Sequence, residues 1–273
     1  MTVGKEPLVE LLRSQYKSLD YLGSSLAPRE WHSSATLPGW AVFDVYAHII
    51  GTESLLEGYE LPYVKVDVSL YDHVRNETGV FNETWVESLS HLGPASMLDR
   101  FRRITAARLR SLDAMTTKEF EAETATPVGP APYWRFMQLR VFDCWMHEQD
   151  IREGLDRPGH ESGPCAKAAV DEAERAMGYV VGKKTGAPDG TAVRIELTGP
   201  VKRTIDIEVS RGRARTVDDL DRSPTATISM SSSLFMRLVG GRAASLSSRL
   251  GEIDFDGDLD LAGAVVTNLA FTN

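Results

Sequence analysis

Apolar residues recur at helical spacing through the first half of the chain and at alternate positions in parts of the second half. Between residues 6 and 27, Leu8, Leu11, Leu12, Tyr16, Leu19 and Leu22 form one stripe, which predicts a helix that stops before Pro28. The run Leu37-Pro38-Gly39-Trp40 punctuates the chain. A second helix is predicted over 42–57, with Val45, Ile49, Thr52 and Leu56 on one face and His48 beside them. Residues 62–79 are polar and irregular, a length that suits a functional loop. Helical spacing returns over 80–91 and 96–115, with Leu98, Phe101, Ile104 and Leu109 as apolar marks. Arg100, Arg102, Arg103, Arg108 and Arg110 on the latter read as a solvated basic face. Residues 126–132 form a rigid Pro/Gly loop, and a further helix follows over 133–154.

The stretch 156–164, rich in Pro, Gly and polar residues, ends that helix and marks a domain boundary. After it the periodicity changes. A helix over 165–181 precedes the alternating segments 193–197 and 205–209, and 213–217 and 226–230 are further strand candidates. A helix over 232–239 is closed by Gly240-Gly241. A short strand or turn at 253–258 and a helix over 259–269 complete the pattern. The fold class is therefore α+β in two domains: an antiparallel four-helix bundle over 1–155 and an α+β domain over 165–273.

Composition narrows the class of protein. The 273 residues are 42% hydrophobic and 25% charged, as in a globular chain, and the net charge is -9. That charge argues against nucleic acid or an anionic membrane as partner. No apolar run has the length of a membrane span, and the first residues lack the apolar core of a signal peptide. Two cysteines, Cys144 and Cys165, make no disulfide framework. A cytoplasmic protein, monomer or homodimer, is expected.

The candidate chemistry lies in Val141-Phe142-Asp143-Cys144-Trp145-Met146-His147-Glu148-Gln149-Asp150. On a helix, Asp143 and His147 stack one turn apart. With Leu139, Met146 and Asp150 they share one sector, so a polar trio sits on the stripe that should face the core. Buried carboxylate and imidazole groups are costly unless paired or metal-bound. Taken alone, Asp143 and His147 are better read as a hydrogen-bonded pair near a helix end, and His48 as a core histidine bonded to a carbonyl. In a bundle, however, polar side chains on facing helices can meet. Two imidazoles and one carboxylate with a position left open make a catalytic type of zinc site.

The residues around these side chains carry a resemblance. Pro38-Gly39-Trp40-Ala41-Val42-Phe43-Asp44-Val45-Tyr46-Ala47-His48 resembles a signature helix of the mycothiol-dependent maleylpyruvate isomerase family, and the segment from Val141 to Arg152 is similar to its second signature. That family belongs to the DinB-like metal-binding four-helix bundles. The resemblance implies zinc, or another divalent metal, on His48, Asp143 and His147. The isomerase itself has glutamate as its middle ligand, where this chain has Asp143. Ser233-Leu234-Phe235-Met236-Arg237-Leu238-Val239-Gly240-Gly241-Arg242 and Asp256-Gly257-Asp258 look like the attached sterol-carrier-like domain, an α/β sandwich.

A metal with an exchangeable position deprotonates a bound thiol. Cys144 points away from Asp143 on the helix and Cys165 lies in the boundary region, so an external low-molecular-weight thiol is the expected nucleophile, and the resemblance nominates mycothiol. S-transfer to a small electrophile is expected ahead of thiol-assisted isomerisation, with thiol exchange also possible on the same scaffold. A metal-dependent hydrolase and a non-enzymatic carrier of a lipid or hydrophobic metabolite are the alternatives. Asp150 is a candidate to orient an imidazole or to contact the thiol, with a helix-end salt bridge as its alternative role. Arg242 is a candidate to hold a carboxylate of cofactor or substrate, or else to make an interface salt bridge. Arg75, Asn76, Asn82 and Trp85 are candidates for the cleft wall. His32, His73, His91 and His160 are expected to be exposed.

Overall fold

The apolar stripes of the first half converge in a helical unit, and the alternating segments of the second half form a sheet. The computed structural model describes residues 4–242 and 249–272. The chain divides into two units, Met1–His160 and Glu161–Asn273. No helix among the described residues is long and apolar enough to cross a membrane.

The first unit is built on α1 (Lys5–Ser24), α2 (Val42–Leu56), α3 (Glu77–Leu89), α4 (Pro94–Ala114), the short α5 (Thr117–Glu121) and α6 (Tyr133–Gly154). A two-stranded ribbon, β1 (Glu123–Thr124) with β2 (Ala131–Pro132), closes the 126–132 loop just before α6. Helix α1 packs on α4 and α6, and α2 packs on α3, α4 and α6. Leu8, Leu12, Tyr16, Leu19 and Leu22 of α1 are all buried. Each such side chain withdrawn from water contributes about 1.5–3 kcal/mol. Tyr46 adds a polar tie between helices, its hydroxyl donating to the Leu19 carbonyl at 2.7 Å.

Helix starts follow local chemistry. Asn76 accepts the Gly79 N–H, so α3 begins three residues ahead of the predicted start. Ala41, at the start of α2, has no side-chain acceptor. The compensation comes from Asp44, whose carboxylate accepts the Ala41 N–H at 2.8 Å. Midway along α2, Gly51 lets Trp85 of α3 lie directly on the helix: a Cβ there would sit 2.4 Å from Trp85 Cγ.

The second unit carries α7 (Gly163–Tyr179), β3 (Ala192–Thr198), β4 (Arg203–Ser210), β5 (Arg213–Val217), β6 (Ala226–Ser231), α8 (Ser232–Val239), β7 (Asp254–Gly257) and α9 (Leu259–Thr267). The sheet order is β5-β4-β3-β6-β7, with β3 and β6 parallel and the remaining neighbours antiparallel. Register places Ile205, Ile195 and Ile228 side by side across three strands, and all three are buried. Arg194 and Asp206, also directly opposite, form a two-pronged ion pair at 2.8 Å. Helices α7, α8 and α9 pack on these strands.

Candidate metal centre

Helix α6 is buried nearly all round from Arg140 to Ile151, and Asp143 is its most open polar position there. Its polar side chains therefore point at neighbouring helices. Asp143 and His147, one turn apart, face His48 of α2. His48 Nε2 lies 3.4 Å from Asp143 Oδ2, and His147 Nε2 lies 3.5 Å from Asp143 Oδ1. One ligand atom from each residue falls within 4.8 Å of the others. The imidazole rings are 4.8 Å apart and nearly perpendicular.

These separations are long for strong hydrogen bonds. Each is close to the ~3.3–3.4 Å edge of a tetrahedral site with bonds of about 2.0–2.1 Å, but the two run to different carboxylate oxygens, and with one atom taken from each residue the donors lie within 4.8 Å of one another. His48 Nδ1 is buried with no hydrogen-bond partner among the described residues. Among the described residues the ring's side-chain hydrogen-bond contact is thus the long one to Asp143, and an ion at the gap would replace that contact with a bond. Two imidazoles and one carboxylate are the donors that zinc takes in catalytic sites. The residues present fit such an ion.

The surroundings orient the set. Asp150, 0% exposed, stands 3.1 Å from His147 Nδ1 and accepts the Thr36 hydroxyl at 2.7 Å. Trp40 lies over both imidazoles, 5.3 Å from the His48 ring and 6.2 Å from the His147 ring. Its indole N–H donates to Glu83 Oε2 at 2.9 Å, and His73 Nε2 meets the same oxygen at 2.9 Å. Gly39, at φ +80, permits this: a Cβ there would sit 2.4 Å from His73 Nδ1. The side chain of Asp143 is 34% exposed against 7% for His48 and 11% for His147, so the trio opens to solvent on the aspartate side.

Charge divides the two histidines. Burial lowers the His48 pKa, against the pull of Asp143, so this ring is neutral and ready to donate a lone pair. Burial also disfavours charge on His147, but Asp143 and Asp150 outweigh it and raise its pKa to about 9. Burial would raise Asp143, yet His147 and Arg140 hold it well below the usual carboxylate range.

Several residues differ from the sequence expectation. Arg108 is not part of a solvated face: it is 1% exposed, paired with Glu53 Oε2 at 3.2 Å and Glu57 Oε1 at 2.7 Å, and donates to the Tyr133 hydroxyl at 2.6 Å. It lies on the stripe of Phe101, Ile104, Thr105 and Leu112, all buried, and that position was the available signal. Glu53 also pairs with Arg140, so one fully buried carboxylate joins α2, α4 and α6. His73 and His160 are half-buried and bonded, His160 Nδ1 meeting Glu148 Oε2 at 2.7 Å. Glu148 is further held by Gln15, Ser18 and Arg152, which turns it away from the trio. Of the residues considered for the cleft wall, Arg75 is exposed, Asn76 caps α3, Asn82 is half-buried and Trp85 is buried on Gly51. Arg242 belongs to the second unit, where its guanidinium donates to the Gly240 carbonyl at the end of α8. Cys144 is buried with Sγ 3.3 Å from Arg140 Nη2, and Cys165 is buried in α7.

A family model described as the mycothiol maleylpyruvate isomerase N-terminal domain matches residues 12–152. A second, described as the MDMPI C-terminal domain, matches residues 167–264. Among solved structures, the mycothiol-dependent maleylpyruvate isomerase is similar at 17% identity over 88% of this chain and 90% of that one, with a TM-score of 0.56. A histidine-to-alanine mutant of a mycothiol-dependent maleylpyruvate isomerase is similar at 15% identity over 93% of both chains, with a TM-score of 0.58. At these identities the likeness establishes the two-part α+β fold. No curated protein matches the chain.

Proposed function

The chain belongs to the mycothiol maleylpyruvate isomerase family, and from that premise we propose that it is a metal-dependent, thiol-dependent isomerase acting on a small unsaturated electrophile, with mycothiol as the thiol. The observation that carries the reading is the gap between His48, Asp143 and His147: three donors, one solvent-facing side and no strong hydrogen bond among them. Family membership supports isomerisation ahead of S-transfer.

His48 and His147 would hold the ion through imidazole nitrogen and Asp143 through a carboxylate oxygen. A divalent ion there, zinc by its donor set, supplies a Lewis-acid centre that favours the thiolate form of an incoming thiol. Asp150 keeps the His147 ring turned toward the gap. Trp40 covers the imidazoles on one side and limits water. In the chemistry proposed, the thiolate sulfur adds to one carbon of a conjugated double bond while the π pair moves onto the carbonyl oxygen. Rotation about the resulting single bond follows. The enolate then re-forms the double bond and expels the thiolate, so the thiol is regenerated and no redox partner is needed. Neither Cys144 nor Cys165 takes part, since both are buried.

Metal analysis of the purified protein, with turnover of a cis-unsaturated oxo acid in the presence of mycothiol, glutathione or no thiol, tests the reading. Turnover requiring both metal and mycothiol is expected. Metal-dependent turnover with no thiol would replace it with a hydrolytic function.

A further inference from the structure

Arg140 has no part in the chemistry above, yet it is the residue most tightly built into the site. It is 3% exposed and sits one turn before Asp143 on α6. Its Nη1 donates to Asp143 Oδ2 at 2.5 Å. Its Nε and Nη2 reach Glu53 Oε1 at 2.9 and 2.8 Å. Glu53, itself 0% exposed, is fixed from its other oxygen by Arg108. The guanidinium is therefore held through all three of its nitrogens by two carboxylates and cannot swing away without leaving a buried charge unpaired.

A carboxylate can bind a cation through one oxygen or two. Asp143 is not free to choose. Oδ2 is engaged by a charge-assisted hydrogen bond from a side chain that cannot move. Oδ1, 3.5 Å from His147 Nε2, carries no arginine, whereas the 3.4 Å contact of His48 Nε2 is to the occupied Oδ2. We propose that Arg140 is a positioning residue that occupies Asp143 Oδ2, restricts Asp143 to a one-oxygen ligand through Oδ1, and so preserves an open coordination position for the incoming thiol. The proposal rests on the metal reading given above. It also assigns a purpose to the buried Glu53–Arg108 pair, which holds the arginine.

The test uses cobalt(II) in the full-length protein, because its visible absorption is intense at low coordination number and weak at high. Wild type should show an intense band that shifts when thiol is added. Arg140→Met, which frees Oδ2, should lose band intensity and the thiol-induced shift, and Arg140→Lys, which keeps a charged donor, should recover part of both. Should Arg140→Met fail to fold by circular dichroism, Glu53→Gln keeps the arginine but loosens its seat, and the same loss in smaller degree is expected. A cobalt spectrum and thiol response identical to wild type in the folded variant would overturn the proposal while leaving the metal reading in place. A wild-type protein that binds no cobalt would overturn both.

Discussion

Asp150 holds the Nδ1 edge of His147 at 3.1 Å and thereby turns Nε2 of the same ring toward Asp143. A carboxylate accepts but does not donate when ionised, so this contact keeps a proton on Nδ1 and makes Nε2 the nitrogen that gives up its proton to an ion. Removing such a partner typically weakens metal binding by about 10–100-fold. Asp150→Ala should fall in that range in competition with a chromophoric chelator, and Asp150→Asn should lie nearer to wild type. Equal affinities in all three proteins would refute the orienting role.

On the proposed reading, the three residues of the trio should be individually indispensable. His147→Ala or Asp143→Ala is expected to remove stoichiometric metal and turnover together, read by elemental analysis and by assay. Asp143→Glu keeps a carboxylate at the same place on α6 and should retain metal.

The histidine charges give metal binding a pH dependence. The His147 pKa is raised to about 9, so near neutral pH the metal-free ring carries a proton that an ion must displace. Affinity should climb with pH and level off near 9, and titration calorimetry in buffers of different ionisation enthalpy should register close to one proton released at pH 7. In the metal-free protein the sign is opposite for stability. The charged His147 contributes fully below its ordinary value of about 6.5, and that contribution fades as pH rises through about 9.

Glu53 neutralises two buried guanidinium groups at once. Truncating one member of a buried ion network costs about 3–5 kcal/mol because the partner charges remain in the interior. Glu53→Ala should reach that loss in chemical denaturation, whereas an exposed pair such as Arg103–Asp99 should cost about 1 kcal/mol or less when broken.

Two substitutions separate packing from chemistry. Gly51→Ala drives a Cβ into Trp85, with a first contact of 2.4 Å, and should cost about 1–3 kcal/mol. Cys144→Ala removes a buried thiol and should leave metal content and thiol-dependent turnover largely intact. Loss of turnover with metal retained would point to a protein thiol as nucleophile.

The type and order of the principal elements were legible from local chemistry, with ends displaced by up to three residues, as at α1 and α3. Pro132 and the helical spacing after it mark α6 as it stands, Tyr133–Gly154, and strict alternation marks the cores of β3 and β4. The trio was legible in part: spacing puts Asp143 and His147 one turn apart and His48 beside a second apolar stripe, and the resemblance of the two signature segments joined them. Both spacing clues are periodic, and periodicity states which side of an element faces inward. It does not state what a long side chain meets there. Arg108 looks like Arg102 or Arg110 along the chain, and only the fold brings Glu53 and Glu57 opposite it. His160 and Glu148 are brought together by a turn in which Asp156 and His160 take positive φ, which no local pattern announced. Thr36 reaches Asp150, and Trp40 and His73 reach Glu83, only through loop paths. The residue types of the trio and the helices that carry them were thus written in the sequence. The partners that orient and charge them were decided by tertiary structure, because a buried polar group takes whichever complementary group the packed helices bring within hydrogen-bond reach.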